Sequence, residues 1–246
     1  PLVAYYLVNL ARVYRAHGDY EDAMPLLQRA TAIREAKLEA DDPIIAQSLG
    51  ALGALLTAMG RYEEAIPPLK RAISLLTTAY GADHPQDTPP LKSLGTVYFR
   101  LGRYNEAGEL YERCRATNSR TFGADNMRVG FDNIGLGDVH LAMQRLERAR
   151  QCYARASEIF LARYGPRHVN NAYAHTGLGK VAAAHGDHHE AVRQFEISLA
   201  LVESALGADH PRVANTLEPL AASLNALGRD SEAAAALERT DRIRGR

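Results

Sequence analysis

The sequence predicts an all-α solenoid of six helix–turn–helix repeats, with about twelve helices. Three observations support this fold class. The pentapeptide GADHP occurs at residues 81–85 and again at 207–211, a separation of 126 positions, or three periods of 42. A leucine recurs at every forty-second position. The 246 residues are rich in Ala, Leu, Glu and Arg, which favours helix over strand. A phase kept over six periods indicates a repeat protein.

The first helix of each period, helix A, carries the recurrent leucine followed by a small residue. These pairs are Leu10–Ala11, Leu52–Gly53, Leu94–Gly95, Leu136–Gly137, Leu178–Gly179 and Leu220–Ala221. A glycine stands eight residues after the leucine in five periods, and Gln144 replaces it in the fourth. A left-handed residue there is expected to end helix A.

The second helix of each period, helix B, carries an alanine and then a bulky residue. The alanines are Ala23, Ala65, Ala107, Ala149, Ala191 and Ala233, and the bulky residues are Leu27, Leu69, Tyr111, Tyr153, Phe195 and Leu237. Spacings of three and four residues put such positions on one helical face. Small residues at fixed positions allow two helix backbones to approach closely, so we expect helices A and B of a repeat to pack through them.

The GADHP phrase is predicted to separate repeats rather than to form a catalytic loop. Helix B is predicted to end at the glycines of this phrase, Gly81, Gly123, Gly165 and Gly207. The next helix A is predicted to be capped by the aspartates Asp83, Asp125 and Asp209. Its first turn suits the prolines Pro43, Pro85 and Pro211. Pro1 falls in the same phase. The predicted repeats, which form a single array over 1–246, are 1–42, 43–84, 85–126, 127–168, 169–210 and 211–246.

The combination of GADHP, helix A, the phrase GRYEEA at 60–65 and a long helix B resembles the tetratricopeptide repeat. The period of 42 is similar to that of the kinesin light chain type, which is also widespread in bacterial proteins. The resemblance implies a right-handed superhelix in which the A helices line a concave groove. It also implies a non-catalytic scaffold that holds a peptide or a partner helix in that groove.

The groove is predicted to use the face of helix A opposite the leucine. Its residues are Tyr5, Asn9, Arg12, Gln47, Lys92, Thr96, Phe99, Arg100, Phe131, Asp138, Tyr173, Lys180 and Asn215. Basic residues outnumber acidic ones on this face, so we expect an acidic peptide or a C-terminal carboxylate as the ligand. The alternative is that these are ordinary solvated positions. Kinesin light chains place asparagines on helix A just before the leucine. Here only Asn9 and Asn133 come close, and the matching positions of other repeats hold different residues, among them Gly135 and Gly177.

The fourth repeat departs from the pattern. Besides Gln144, it has three glycines, Gly130, Gly135 and Gly137, in one helix A. The phase assigns a packing role to Gly137 and none to the other two. A flexible joint and neutral drift both remain open as explanations.

Other chemistry has little support in the sequence. His185, His188 and His189 lie beside Asp187 and Glu190, but on a predicted turn, so we expect no metal and no cofactor. TGLGK at 176–180 lacks the glycine that a phosphate loop requires and lies within a helix A. No catalytic constellation stands in a plausible context, and we expect no enzymatic activity.

Charge and cysteine content limit the partners and the compartment. The 29 basic and 29 acidic residues balance, which argues against nucleic-acid binding, and no apolar stretch is long enough to span a membrane. Cys114 and Cys152 are interpreted as thiols in a reducing, cytoplasmic compartment. Self-association through the terminal repeats is a further expectation. Because the chain starts without Met, the alternative function is a sensor array from a larger signalling protein, an ATPase or a protease.

Overall fold

The all-α prediction is confirmed. In the computed structural model, which describes residues 2–245, these residues form twelve α-helices and no strand. Pro1, assigned above to a repeat boundary, and Arg246 lie outside the described residues. Pro43 and Pro211 begin α-helices and Pro85 begins a short 3₁₀ turn, as their phase predicts.

The chain divides into two compact units, one ending at Ala124 and the other beginning at Asp125. The first unit contains α1 (Leu2–His17), α2 (Tyr20–Lys37), α3 (Pro43–Ala58), α4 (Tyr62–Tyr80), α5 (Thr88–Arg100) and α6 (Tyr104–Phe122). The second unit contains α7 (Met127–Ala142), α8 (Leu146–Tyr164), α9 (Asn171–Ala184), α10 (His188–Leu206), α11 (Pro211–Ala226) and α12 (Asp230–Arg244). Odd-numbered helices are of the A type and even-numbered helices of the B type.

The turn between helices A and B uses the left-handed conformation, as predicted. Gly102 after α5 has a φ of 74°, and Gln144 after α7 adopts the same conformation with a φ of 56°. Glycine, which has no Cβ, adopts this region without strain, whereas the Cβ of any other residue comes too close to the backbone. The fourth repeat therefore keeps the turn geometry without the residue that suits it.

Replacing Gln144 by glycine is expected to stabilise the second unit. The glycine should raise the free energy of unfolding by about 1 kcal/mol, because it removes the Cβ clash at positive φ. Chemical denaturation of the wild type and the variant measures the difference. The reciprocal change, Gly102→Gln, should lower stability by a similar amount, and equal midpoints for all three proteins would contradict this explanation.

The predicted aspartate caps were wrong by one residue. The side chain that accepts an N–H bond belongs to the next position, again at intervals of 42. Asp42, Asn126 and His210 cap α3, α7 and α11, whereas His84 caps the 3₁₀ turn before α5 and His168 accepts the Asn170 N–H just before α9. Asp83 instead accepts a hydrogen bond from Arg113 of α6 at 3.2 Å, and Asp125 pairs with Arg155 of α8. The reason is local, since a cap must directly precede the first turn to reach its N–H groups.

Close packing of helices A and B in each repeat follows the predicted phase. A Cβ added to Gly53 would lie 2.4 Å from Leu69, and one added to Gly179 would lie 2.6 Å from Phe195. The glycines are therefore required by the bulky side chains of helix B.

Two packing expectations were wrong. Leu10, predicted to face helix B, is 45% exposed, although its equivalents Leu94, Leu136 and Leu220 are buried. Gly130 has a packing role after all, because a Cβ there would lie 2.6 Å from the buried ring of Phe160. In both cases the packing around the residue depends on the neighbouring helix, and the spacing of the repeat does not specify that neighbour.

Candidate functional site: clefts on the A helices

The first unit contains a cleft of about 550 Å³ between α1, α3 and the start of α5. An adjoining cleft of about 350 Å³ shares Arg15, Ala54 and Ser93 with it, and we term the two together the N-terminal cleft. Its lining includes Tyr5, Asn9, Arg12, Arg15, Gln47, Ser93, Thr96 and Arg100. Helices α1, α3 and α5 thus present side chains from three repeats to one space.

The N-terminal cleft is positively charged. Arg12, Arg15 and Arg100 line it, and none of its described lining residues is Asp or Glu. Guanidinium groups bind carboxylates through two parallel N–H bonds, so this surface suits an anionic group.

A buried arginine lies beside this cleft and orients one of its residues. Arg34 of α2 is 2% exposed and donates to the Ile44 carbonyl at 2.8 Å and to Gln47 Oε1 at 3.3 Å. Burial lowers the pKa of Arg34, and the positive charge of Arg12 lowers it further. Arg34 therefore adds positive charge at this end of the cleft and fixes the Gln47 amide.

The second unit contains a smaller cleft of about 340 Å³ between α7, α9, α10 and α11, termed the C-terminal cleft. Its polar lining consists of Asp138, Tyr173, Thr176, Lys180, Ser198, Arg212, Asn215 and Thr216. The Arg212 guanidinium lies 4.2 Å from the centre of the Tyr173 ring, a cation–π arrangement. Unlike the N-terminal cleft, this one combines a carboxylate with two cationic groups.

Tyr153 of α8 orients the carboxylate of the C-terminal cleft. Its ring is fully buried, and a Cβ added to Gly137 or Gly177 would lie 2.6 or 2.3 Å from it. The hydroxyl donates to Asp138 Oδ1 at 2.7 Å. Burial raises the pKa of Tyr153, and Asp138 raises it further, so the phenol remains a donor. Gly177, which departs from the kinesin light chain pattern, is thus explained by this ring.

The structure places most of the predicted site residues at the two clefts. Tyr5, Asn9, Arg12, Gln47, Thr96 and Arg100 line the N-terminal cleft, and Asp138, Tyr173, Lys180 and Asn215 line the C-terminal cleft. The other three lie elsewhere. Phe99 packs against Tyr104 with ring centres 5.6 Å apart, Phe131 contacts the rings of Phe160 and Tyr173, and half-buried Lys92 is outside the described cleft linings.

Sequence reasoning missed Arg34 and Arg212. Arg212 lies one helical turn before Asn215, the first groove position predicted for this helix A. Extending the predicted groove face by one turn toward the start of the helix would have included it. No sequence signal identified Arg34, because its role depends on the packing of α2 against α3.

Metal-ligating side chains do not cluster within residues 2–245. In that range no three His, Cys, Asp or Glu side chains lie close enough together to hold a metal ion, and Asp187 instead accepts the Glu190 N–H at 3.0 Å. None of the helices between Leu2 and Arg244 combines the length and the apolar character needed to cross a membrane. Both cysteines are thiols, Cys114 buried and Cys152 half-buried.

The paired helices and their open clefts define an all-α repeat protein of the protein-binding class. A tetratricopeptide repeat model matches residues 2–78, 44–117, 131–198 and 186–244, and the chain belongs to this family. Tetratricopeptide repeats generally mediate protein–protein interaction, and proteins built from them are typically non-catalytic.

Solved structures with the same fold include kinesin-light-chain-like proteins, which confirms that resemblance. BtubC (BKLC) from P. vanneervenii has a TM-score of 0.69 at 24% identity, over 89% of this chain and 91% of its own. A putative kinesin light chain from Podosopora anserina scores 0.64 at 22% identity, over 84% and 97%. A Rap protein complexed with Competence and Sporulation Factor scores 0.69 at 12% identity, over 99% and 75%. The comparison with curated proteins gave no match.

Proposed function

We propose that the chain is a non-catalytic scaffold that binds an acidic peptide or partner helix in the N-terminal cleft. The observation that carries the proposal is a cleft with three arginines and no carboxylate among its described lining residues. Acidic side chains or a terminal carboxylate would pair with Arg12, Arg15 and Arg100. Tyr5 would supply contact area at low entropic cost.

The C-terminal cleft is proposed to contact ligands of mixed charge. Arg212 and Lys180 would take acidic groups, and Asp138, oriented by Tyr153, would take a basic group or an N–H donor. Electrostatic complementarity of this kind selects partners more than it adds affinity.

A further observation supports the proposal. The Rap protein of similar fold was solved complexed with Competence and Sporulation Factor, so an array of this kind has a bound state.

The cysteines bear on the compartment. The thiols Cys114 and Cys152 fit a reducing compartment, and we propose the cytoplasm. A sensor array working with further domains would use the same clefts.

Selection from a displayed random peptide library, followed by calorimetry, tests the proposal. We expect enrichment of Asp and Glu among the bound peptides. Reversing one cleft charge by Arg12→Glu should weaken the selected peptide at least about tenfold, because the variant repels the carboxylate.

The matched control is Arg29→Glu, which makes the same charge change at an exposed position of α2 outside the clefts. It should leave the affinity unchanged. Equal losses in both variants would indicate a nonspecific charge effect, and unchanged affinity in Arg12→Glu would remove the N-terminal cleft as the site.

A further inference from the structure

Arg34 of α2 occupies a buried slot that holds an apolar side chain in three other repeats. Leu76, Phe160 and Val202 stand at multiples of 42 residues from it and are 5%, 0% and 1% exposed. Arg34 is 2% exposed, so this repeat buries a charge where the fold accommodates a hydrocarbon side chain. Since the burial of a charge costs free energy, the packing of α2 on α3 does not account for the arginine.

No carboxylate within residues 2–245 hydrogen-bonds to Arg34. Its partners there are the Ile44 carbonyl and Gln47 Oε1, which are both neutral, and its Nε–H has none. Burial lowers the pKa of Arg34, the charge of Arg12 lowers it further, and the carboxylate of Asp42 offsets a smaller part of the change. A further anion bound close to Arg34 and Arg12 would therefore be favoured electrostatically.

Arg34 also determines which group Gln47 presents to the N-terminal cleft. A guanidinium has hydrogen-bond donors and no acceptor, so the amide oxygen of Gln47 must face Arg34. The Gln47 side chain is exposed and lines the cleft, and its Nε2 forms no hydrogen bond within residues 2–245. A glutamine amide without such a partner can rotate to accept or to donate, whereas this one is held as a donor.

The surroundings of Gln47 favour a negatively charged acceptor. Arg12 lines the same cleft and, together with Arg34, makes this end positive, and none of the described lining residues is Asp or Glu. A ligand carboxylate accepts N–H bonds and brings the opposite charge, whereas a ligand amide accepts without bringing a charge. A ligand ammonium group would meet a donor and two cations.

We propose that Gln47 and Arg12 form a side-chain carboxylate subsite of the N-terminal cleft and that buried Arg34 is its positioning residue. The proposal rests on the function proposed for this cleft, the binding of an acidic peptide, and adds the origin of its selectivity. The subsite distinguishes an Asp or Glu side chain of the peptide from the uncharged amide. Arg34 acts without touching the ligand, because it holds the Gln47 amide and places a positive charge behind it.

Calorimetry with two peptides tests the proposal. One is the acidic peptide selected from the library, and the other is the same peptide with each Asp and Glu replaced by Asn and Gln. In Arg34→Leu the preference for the acidic peptide should fall at least about threefold, because Gln47 is released and one charge is lost. The denaturation midpoint of this variant should equal or exceed that of the wild type, because leucine fills the slot as Leu76 does.

A second variant, Gln47→Glu, tests the subsite directly. Glutamate has the shape of glutamine and pairs with Arg34, but it presents an oxygen to the cleft in place of an N–H group. The affinity for the acidic peptide should fall at least about tenfold, and the affinity for the amide peptide should change much less. The matched control is Gln28→Glu, the same change at an exposed position of α2 outside the clefts, which should leave both affinities unchanged.

Three outcomes would overturn the proposal. An unchanged preference in Arg34→Leu and Gln47→Glu, with binding still weakened in Arg12→Glu, would leave the proposed function intact and remove Gln47 and Arg34 from the site. A lower midpoint in Arg34→Leu, with equal losses for both peptides, would show that Arg34 has a structural role alone. A library without acidic enrichment would overturn the proposed function itself, and the subsite with it.

Discussion

Gly177→Ala is expected to destabilise the second unit by about 3 kcal/mol. The new Cβ would lie 2.3 Å from two ring atoms of Tyr153, whose ring also lies against Gly137. A rigid ring that is fully buried between two helices cannot move aside, so α9 must shift. The same shift should disturb Asp138, which Tyr153 orients. Chemical denaturation measures the loss of stability.

A second substitution and a control separate this effect from general helix properties. Tyr153→Leu should restore part of the stability of Gly177→Ala, because leucine occupies the same slot at Leu69 and leaves room for the added methyl. Gly50→Ala adds a Cβ 3.9 Å from Pro90, an ordinary contact, and should stabilise by about 1 kcal/mol through helix propensity. A destabilisation of equal size in Gly50→Ala would show that the Tyr153 ring is not the cause.

Asp87→Asn is expected to stabilise the first unit by about 1–3 kcal/mol at neutral pH. Asp87 is fully buried at the position that Ile45 and Val129 hold in other repeats, and neither carboxylate oxygen has a hydrogen-bond partner. Asn171, in the same slot, donates to the carbonyls of Gly165 and His168 at 2.8 and 3.1 Å. An ionised carboxylate cannot donate in this way, whereas an amide can.

The stabilisation by Asp87→Asn should depend on pH. Burial raises the pKa of Asp87 above its usual value, because no hydrogen bond compensates the buried carboxylate. Between the pKa of Asp87 in the unfolded state and its higher pKa in the folded state, the folded protein keeps a proton that the unfolded chain has lost. The free energy of unfolding of the wild type therefore falls as pH rises through this window. The gain in free energy of unfolding from Asp87→Asn should reach its full size above that window and should shrink as pH falls through it.

The reciprocal substitution provides the control. Asn171→Asp places a carboxylate in the equivalent slot of the second unit and should destabilise at neutral pH, with less effect in acid. Denaturation midpoints across the acidic range measure both variants. An Asp87→Asn variant as stable as the wild type at every pH would mean that the carboxylate is not a source of instability.

The number of helices and the pairing of A with B could be predicted from the sequence because they depend on local spacing. The left-handed turn at Gly102 and the small residue at Gly53 recur every 42 residues, and each constrains the chain within its own repeat. The lining of the clefts followed from the same phase in most cases. Phe99, Phe131 and Lys92 were exceptions, and aromatic neighbours from adjoining helices cover the two phenylalanines.

By itself, the sequence determined the family, the all-α class and the face of helix A that meets its partner. Only the tertiary structure decided that Asn126 rather than Asp125 caps a helix, that Arg34 lies buried beside Gln47, and that Leu10 is exposed. The physical reason is the range of the interactions. A repeat phase records contacts that every repeat makes, whereas the burial of a charge or the exposure of a leucine depends on which neighbouring helix occupies the adjoining space.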